Sequence, residues 1–343
     1  MQKLSAIAHA AYIDLRSALI DEAASEIIGT PRLEKRGDRT YWYDMYRIGS
    51  DVRKRYIGED TPEMADRIAR LHDLKQAGEA RAEDRTRLIR VLRAEGAQTV
   101  DPATGSLLTA LAQAGTFRLG GTIVGTNAFR LYECELGIRI RGTEIMQTGD
   151  LDIAQFERLS LALGDTVETP LNDSFKVLDF APIPAINHRS VWRWRQTKSN
   201  TLVEFLTPSF RPEEDIRELP ALGVAAQSLH FLNYLIAEPI KAAALYRSGV
   251  LVQIPRPEAY AIHKLIVADR RRTGPDQLKS RKDRAQAALL IEALAEDRPD
   301  ELREAYADAM NRGPQWRAHI AATLKRMPQA VPRGRPKLSV RPS

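Results

Sequence analysis

Apolar residues recur at helical spacing, with frequent Ala, over residues 4–28, and a helix is expected there. Beyond Gly29 and Pro31 the pattern changes. Arg39–Ile48 is an aromatic-rich strand, Gly49-Ser50-Asp51 a turn and Val52–Gly58 a basic strand, so a β-hairpin is expected. Thr61-Pro62-Glu63 then combines an N-cap with Pro in the first turn and opens a highly charged helix reaching about Ala94. Gly96 to Gly105 marks a boundary. From Ser106 a helix leads into an apolar strand over residues 118–124. Gly125 turns the chain, and a second helix starts near Asn127, with Ala128, Leu131, Tyr132 and Leu136 on its core face. Phe175, Val177, Leu178, Trp192 and Trp194 read as further strands, followed by a strand at Thr201–Pro208. Residues 219–325 read as largely helical, with a short strand at Val250–Ile254 ended by Pro255 and Pro257.

A length of 343 residues accommodates two or three modules. The apolar fraction of 43% and charged fraction of 28% are those of an ordinary globular chain, so composition does not narrow the class. The single cysteine, Cys134, excludes an intramolecular disulfide framework and a multi-cysteine zinc site, and points to a reducing compartment. No stretch has the length of a membrane span and the N-terminal residues lack a signal-peptide pattern, so a cytoplasmic protein without membrane partners is expected. The net charge of +6 equals the charge of the tail alone, where Lys325, Arg326, Arg333, Arg335, Lys337 and Arg341 occur without any Asp or Glu. Such a tail either solubilises the chain or attracts RNA or DNA phosphates. The hairpin aromatics, interleaved with Arg and Lys, either stack bases or pack on the following helix.

The chemistry concentrates around Thr148-Gly149-Asp150-Leu151-Asp152-Ile153-Ala154. In a strand, Asp150 and Asp152 project to one side and Leu151 and Ile153 to the other. Two carboxylates in one small volume repel each other, and Mg²⁺ commonly binds one or two carboxylates plus substrate phosphates. Such a pair alone is more often a solvated strand edge than a metal site. The upstream turn at Gly125-Thr126 offers free backbone N–H groups and a hydroxyl to a phosphate, although neither Gly-x-x-x-x-Gly-Lys-Ser/Thr nor Gly-x-Gly-x-x-Gly occurs there.

Gly125-Thr126 before a helix, with Asp150-x-Asp152 on the next strand, resembles the Gly-Ser and Asp-x-Asp pattern of the DNA polymerase β-like nucleotidyltransferase superfamily. Within it the chain is most similar to the bacterial branch of minimal nucleotidyltransferases and AbiEii-type toxins, through Ile262-His263-Lys264-Leu265-Ile266 and Arg281-Lys282-Asp283. The resemblance spans roughly residues 105–297. It implies a third carboxylate on a later strand, for which Glu204 is the candidate. Thr126 replaces the usual Ser and keeps the hydroxyl, whereas Glu204 replaces the usual Asp and adds a methylene.

The resemblance further implies an α+β nucleotidyltransferase core, a small mixed sheet flanked by helices, joined to helical N- and C-terminal modules. The expected units are residues 1–100 (helix, hairpin, helix), 101–218 (core), 219–325 (helical) and 326–343 (basic tail). Asp150, Asp152 and Glu204 are the expected ligands of Mg²⁺ or Mn²⁺, and Gly125, Thr126, Lys264 and Lys282 the expected contacts of the NTP donor. Lys264 is expected to point away from the apolar face of its helix and to share a face with Arg271; a solvated basic face is the plain alternative. Asp283 is expected to orient a neighbouring base or cap local structure, and His263 to be packed or to touch a base or phosphate. The implied reaction moves an NMP from an NTP to a hydroxyl, with an RNA or tRNA 3′ end as first-choice acceptor and a toxin or phage-defence setting. Protein or small-molecule nucleotidylation, or an impaired binding module, are the alternatives.

Overall fold

The computed structural model describes residues 2–23, 30–48, 51–146, 148–157, 159, 166–167, 169–184, 190–198 and 201–327. Helix α1 (Ala6–Ala23) precedes a three-stranded antiparallel sheet of β1 (Thr30–Arg36), β2 (Arg39–Ile48) and β3 (Asp51–Glu59), in that order. The expected hairpin is present, and β1 extends it. Pro31 and four charged residues concealed this strand, yet an edge strand tolerates both. Helix α2 (Pro62–Ala94) begins where Thr61 caps it, the Thr61 hydroxyl accepting from the Met64 N–H at 3.2 Å.

Helix α3 (Pro102–Gln113) is capped by Asp101, whose carboxylate accepts from the Thr104 N–H at 3.0 Å. The strand expected over 118–124 is only β4 (Thr122–Val124). Gly115 and Gly120 adopt φ of +87° and +94°, which breaks an extended run, and residues 114–120 form turns instead. Helix α4 (Gly125–Glu135) follows directly, then α5 (Thr143–Met146) and β5 (Asp150–Ala154). Phe175 and Val177, expected in a strand, lie in α6 (Leu171–Val177), where Leu171, Ser174 and Phe175 share a buried face at helical spacing. Strands β6 (Phe180–Pro182), β7 (Arg193–Gln196) and β8 (Leu202–Pro208) complete this half.

The main sheet has seven strands and mixes directions. Its order is β4-β5-β8-β10-β9, where β9 is Ile216–Leu219 and β10 is Val224–Leu229, so the sheet continues past residue 218. β5 and β10 run parallel to β8, while β7 pairs antiparallel with the first half of β8 and with β6. Phe175, Trp194 and Phe205 form an aromatic cluster, with the Trp194 ring 4.8 and 5.5 Å from the other two. Helix α7 (Leu232–Leu235) leads to the antiparallel pair β11 (Pro239–Ala244) and β12 (Val250–Pro255). The first of these was expected to be helical. Ala242, Ala243 and Ala244 favour helix by propensity, but they are fully buried in the ladder, and packing overrides propensity.

The remainder is helical: α8 (Pro257–Arg270), α9 (Gln277–Asp297), α10 (Pro299–Asn311) and α11 (Pro314–Leu324). Helix α8 packs against each of the other three. Asp269 ties α8 to α11 and its end by accepting from Arg326 Nη2 at 2.8 Å and by pairing with His319 Nδ1 at 2.9 Å. The N-terminal helix is also tied in. Leu4, Ala8, Leu15 and Leu19 pack with Ile89, Leu92, Cys134 and Leu245, and the Tyr12 hydroxyl donates to Glu135 Oε2 at 3.0 Å. Among the described residues no helix is long and apolar enough to cross a membrane. Most of the basic tail, residues 328–343, lies outside the described residues.

Candidate active site

The corner between β4 and α4 is built around one residue. Gly125 adopts φ +65°, and a Cβ at this position would sit 2.2 Å from Asp152 Oδ2, so only glycine lets the carboxylate lie against the start of the helix. Val124 supplies no side-chain cap, which leaves the first N–H groups of α4 to a ligand or solvent. Thr126 is buried in this turn. Asn127 Nδ2 donates to the Asp150 carbonyl at 2.7 Å and fixes β5 against the helix. The Tyr260 hydroxyl lies 2.8 Å from the Gly125 carbonyl and 3.1 Å from Gln286 Oε1, so α8 and α9 buttress the same turn.

The register brings the predicted carboxylates together. Asp152 is paired with Val124 on one side and with Glu204 on the other, and Asp150 with Leu202. Asp150, Asp152 and Glu204 thus share one face, while Leu151, Ile153, Val203 and Phe205 are buried on the other. Glu204 and Asp152 are therefore neighbours across adjacent strands, although 51 residues separate them in sequence.

The electrostatics follow from this crowding. Burial, then the nearby Glu204 and Asp150 charges, push the Asp152 carboxyl from 3.8 up to about 7, with Lys264 and Arg271 pulling the other way. The Glu204 carboxyl is raised by burial and by Asp150, and opposed by Arg193 and Lys279. Burial lowers the Lys282 ammonium, whose surroundings include Lys264, Asp283, Asp150 and Asp152. As they stand, no three carboxylate, imidazole or thiolate groups among the described residues converge closely enough to hold a metal ion. The donor set nevertheless has the chemistry a hard divalent cation takes, namely two aspartates and a glutamate on adjoining strands beside free N–H groups.

Lys264 is placed differently from the expectation. Its side chain is buried, not turned away from the core, and Nζ lies 2.5 Å from Asp283 Oδ1 and 5.2 Å from the Tyr260 ring centroid. Arg271, expected on the same face, donates from Nη1 to Asp283 Oδ2 at 2.8 Å. Asp283 therefore orients two basic side chains at once, and these two charges hold its carboxyl below the ordinary value despite burial. His263 is buried, and Nδ1 has no hydrogen-bond partner among the described residues. Burial, reinforced by Lys264, holds the imidazole down to about 3, so it is neutral and packed at neutral pH. Cys134 is buried with its thiol pushed up to about 12, an inert small residue.

Three residues near the site carried no expectation. Tyr260 and Asn127 brace the Gly125 turn, and Arg193 stands opposite Glu204 in register. Trp192 and Trp194 flanking Arg193 were the visible signal, since alternation puts the arginine on the face away from the buried Trp194.

A family model described as Nucleotidyltransferase matches residues 102–311, more than half of the chain and the whole stretch carrying the carboxylates and Lys264. Among solved structures, an antigenic nucleotidyltransferase-like protein from Paracoccidioides brasiliensis aligns at 15% identity, covering 65% of this chain and 94% of that one, with a TM-score of 0.33. No curated protein matches. The chain belongs to the nucleotidyltransferase family.

Proposed function

We propose that the protein transfers an NMP from an NTP to a hydroxyl group with the help of a divalent cation, and that the acceptor is an RNA 3′ end. The observation that carries this reading is the seating of the Asp152 carboxylate between the glycine-only turn at Gly125 and its register partner Glu204. Asp150, Asp152 and Glu204 would hold Mg²⁺ or Mn²⁺, which when bound supplies charge neutralisation at the phosphates and acidifies the acceptor hydroxyl. The α4 N–H groups and the Thr126 hydroxyl receive the donor phosphates, assisted by Lys264 and Lys282. The acceptor oxygen attacks the α-phosphorus and forms the new P–O bond. The bond to the bridging oxygen breaks, pyrophosphate leaves, and the hydroxyl proton passes to Glu204 or solvent. Positioning and electrostatic stabilisation supply the rate enhancement. The first 100 residues act as an accessory module, and the sequence resemblance of Ile262–Ile266 and Arg281–Asp283 to the AbiEii-type branch extends this reading to a toxin or phage-defence setting.

An RNA acceptor is supported by a groove of about 670 Å³ between α2 and the β11–β12 loop, whose lining includes Arg87, Arg90, Arg93 and Arg247 against a single acidic residue, Glu83. The three α2 arginines recur every third residue, about 4.5 Å apart along the helix. Arg247 is held at φ +51° with its guanidinium 5.2 Å from the Tyr246 ring centroid. Reversing Arg90 and Arg93 together to Glu should weaken binding of a mixed tRNA pool and reduce its salt slope by about 0.7 for each lost phosphate contact. NTP binding should be unaffected. An unchanged slope removes the groove from RNA binding.

The direct test incubates the protein with each α-labelled NTP, Mg²⁺, total RNA and lysate protein. Label in RNA that disappears with a chelator is expected. Label in protein or a small molecule would replace the acceptor. A second reading, an impaired nucleotide-binding module, is favoured by the longer Glu204 side chain. NTP binding without pyrophosphate release would establish it.

A further inference from the structure

The site has a direction across the sheet. Val124, Asp152, Glu204 and Arg193 are successive register partners on β4, β5, β8 and β7. With strands about 4.8 Å apart, this row runs roughly 14 Å from the Gly125 turn to Arg193. On the reading above, the donor phosphates occupy the Gly125 end. Arg193 stands at the other end, beyond Glu204.

Among the described residues Arg193 has no hydrogen-bond or ion-pair partner. Its guanidinium lies over the Trp192 ring, 4.9 Å from the centroid, and Nε is buried without a hydrogen-bond partner among the described residues. Among the described residues no carboxylate pairs with it, and its influence on Glu204 acts through space. A buried guanidinium N–H left unsatisfied is costly, and its planar fork suits a phosphate. A polynucleotide end brings its own negative charge toward three carboxylates. A fixed cation beyond Glu204 offsets that repulsion on the side where the acceptor enters.

We propose that Arg193 is the acceptor-phosphate ligand, holding the phosphodiester immediately 5′ of the terminal hydroxyl of the incoming polynucleotide. This rests on the RNA-acceptor reading and assigns it a residue. Arg193 also distinguishes polynucleotide ends from hydroxyls that lack an adjacent phosphate.

The test is equilibrium binding of a fluorescent octaribonucleotide whose last internucleotide linkage is either a phosphodiester or an uncharged methylphosphonate. The wild-type protein should bind the charged oligonucleotide about tenfold or more tightly, as expected for a charge-assisted hydrogen bond. Arg193→Met should abolish that preference while leaving NTP binding unchanged, and Arg193→Lys should keep part of it, having the charge without the fork. If Arg193→Met loses its far-ultraviolet dichroism, the comparison rests on Arg193→Lys and Arg193→Gln. Discrimination preserved in full in Arg193→Met or Arg193→Gln, or absent from the wild type, overturns the proposal. Binding of neither oligonucleotide also overturns it, along with the RNA acceptor, while NTP binding and pyrophosphate release would still leave a transferase.

Discussion

Asp152→Asn is expected to lower nucleotide transfer by about a thousandfold or more, the equivalent of several kcal/mol of lost charge stabilisation, while the metal-free protein gains thermal stability at neutral and higher pH. The two effects have one cause. The carboxylate is held close to Glu204 and Asp150 in a half-buried position, which suits a bound cation and penalises the ion without one. The folded carboxyl titrates near 7 and the unfolded one near 3.8. The unfolded chain therefore releases this proton first, and the folded state loses stability as pH rises from about 4 through 7. Asparagine has no such proton. Melting temperatures in chelator from pH 5 to 8 should diverge upward in favour of the variant. Parallel curves, or turnover near wild type, would remove Asp152 from the site.

Asp283→Ala is the second substitution with a large expected effect. It leaves the buried Lys264 ammonium and the Arg271 guanidinium facing each other without their shared carboxylate, and removing one partner of a buried pair costs about 3–5 kcal/mol. The urea midpoint should fall accordingly. Adding Lys264→Met should recover much of the loss, since apolar replacement of a buried pair is often neutral, but it should not restore NTP binding. The Asp283 carboxyl is held below its ordinary value, so its stabilisation persists at neutral pH and is lost only as pH falls below about 4. A small midpoint change in the single variant would mean that Lys264 and Arg271 are solvated.

What was legible in the sequence was whatever local chemistry encodes. Thr61-Pro62 announced α2, and Asp150-x-Asp152 announced a strand with a polar face. The prolines at the starts of α3, α8, α10 and α11 carried the same helix-start signal, but Pro257 was read only as the end of a strand. Residues whose state is decided by distant partners were opaque. The Ala-rich β11 is a strand because β12 pairs with it, and β1 is a strand because β2 does. The site shows the same division. Asp150, Asp152 and Gly125 could be picked out by local pattern and Glu204 only through the family resemblance, whereas the burial of Lys264 depends on Asp283, nineteen residues away on another helix, and the position of Arg193 depends on strand register.

The bracing of the Gly125 turn by Tyr260 and Gln286 also sets a timetable. In a chain made from its N-terminus, Gly125, Asp150 and Asp152 emerge long before the hydroxyl and amide that support them. Parallel pairing of β5 with β8 waits for a crossover, and contacts this far apart in sequence close slowly. The residues at the turn and on β5 and β8 are thus present early, but the Tyr260–Gln286 brace is complete only once α9 has been synthesised and docked. A prematurely terminated chain ending before residue 286 would carry the Gly-Thr turn and all three carboxylates without the Gln286 brace, and weaker NTP binding by such a truncation than by the full chain is the expected result.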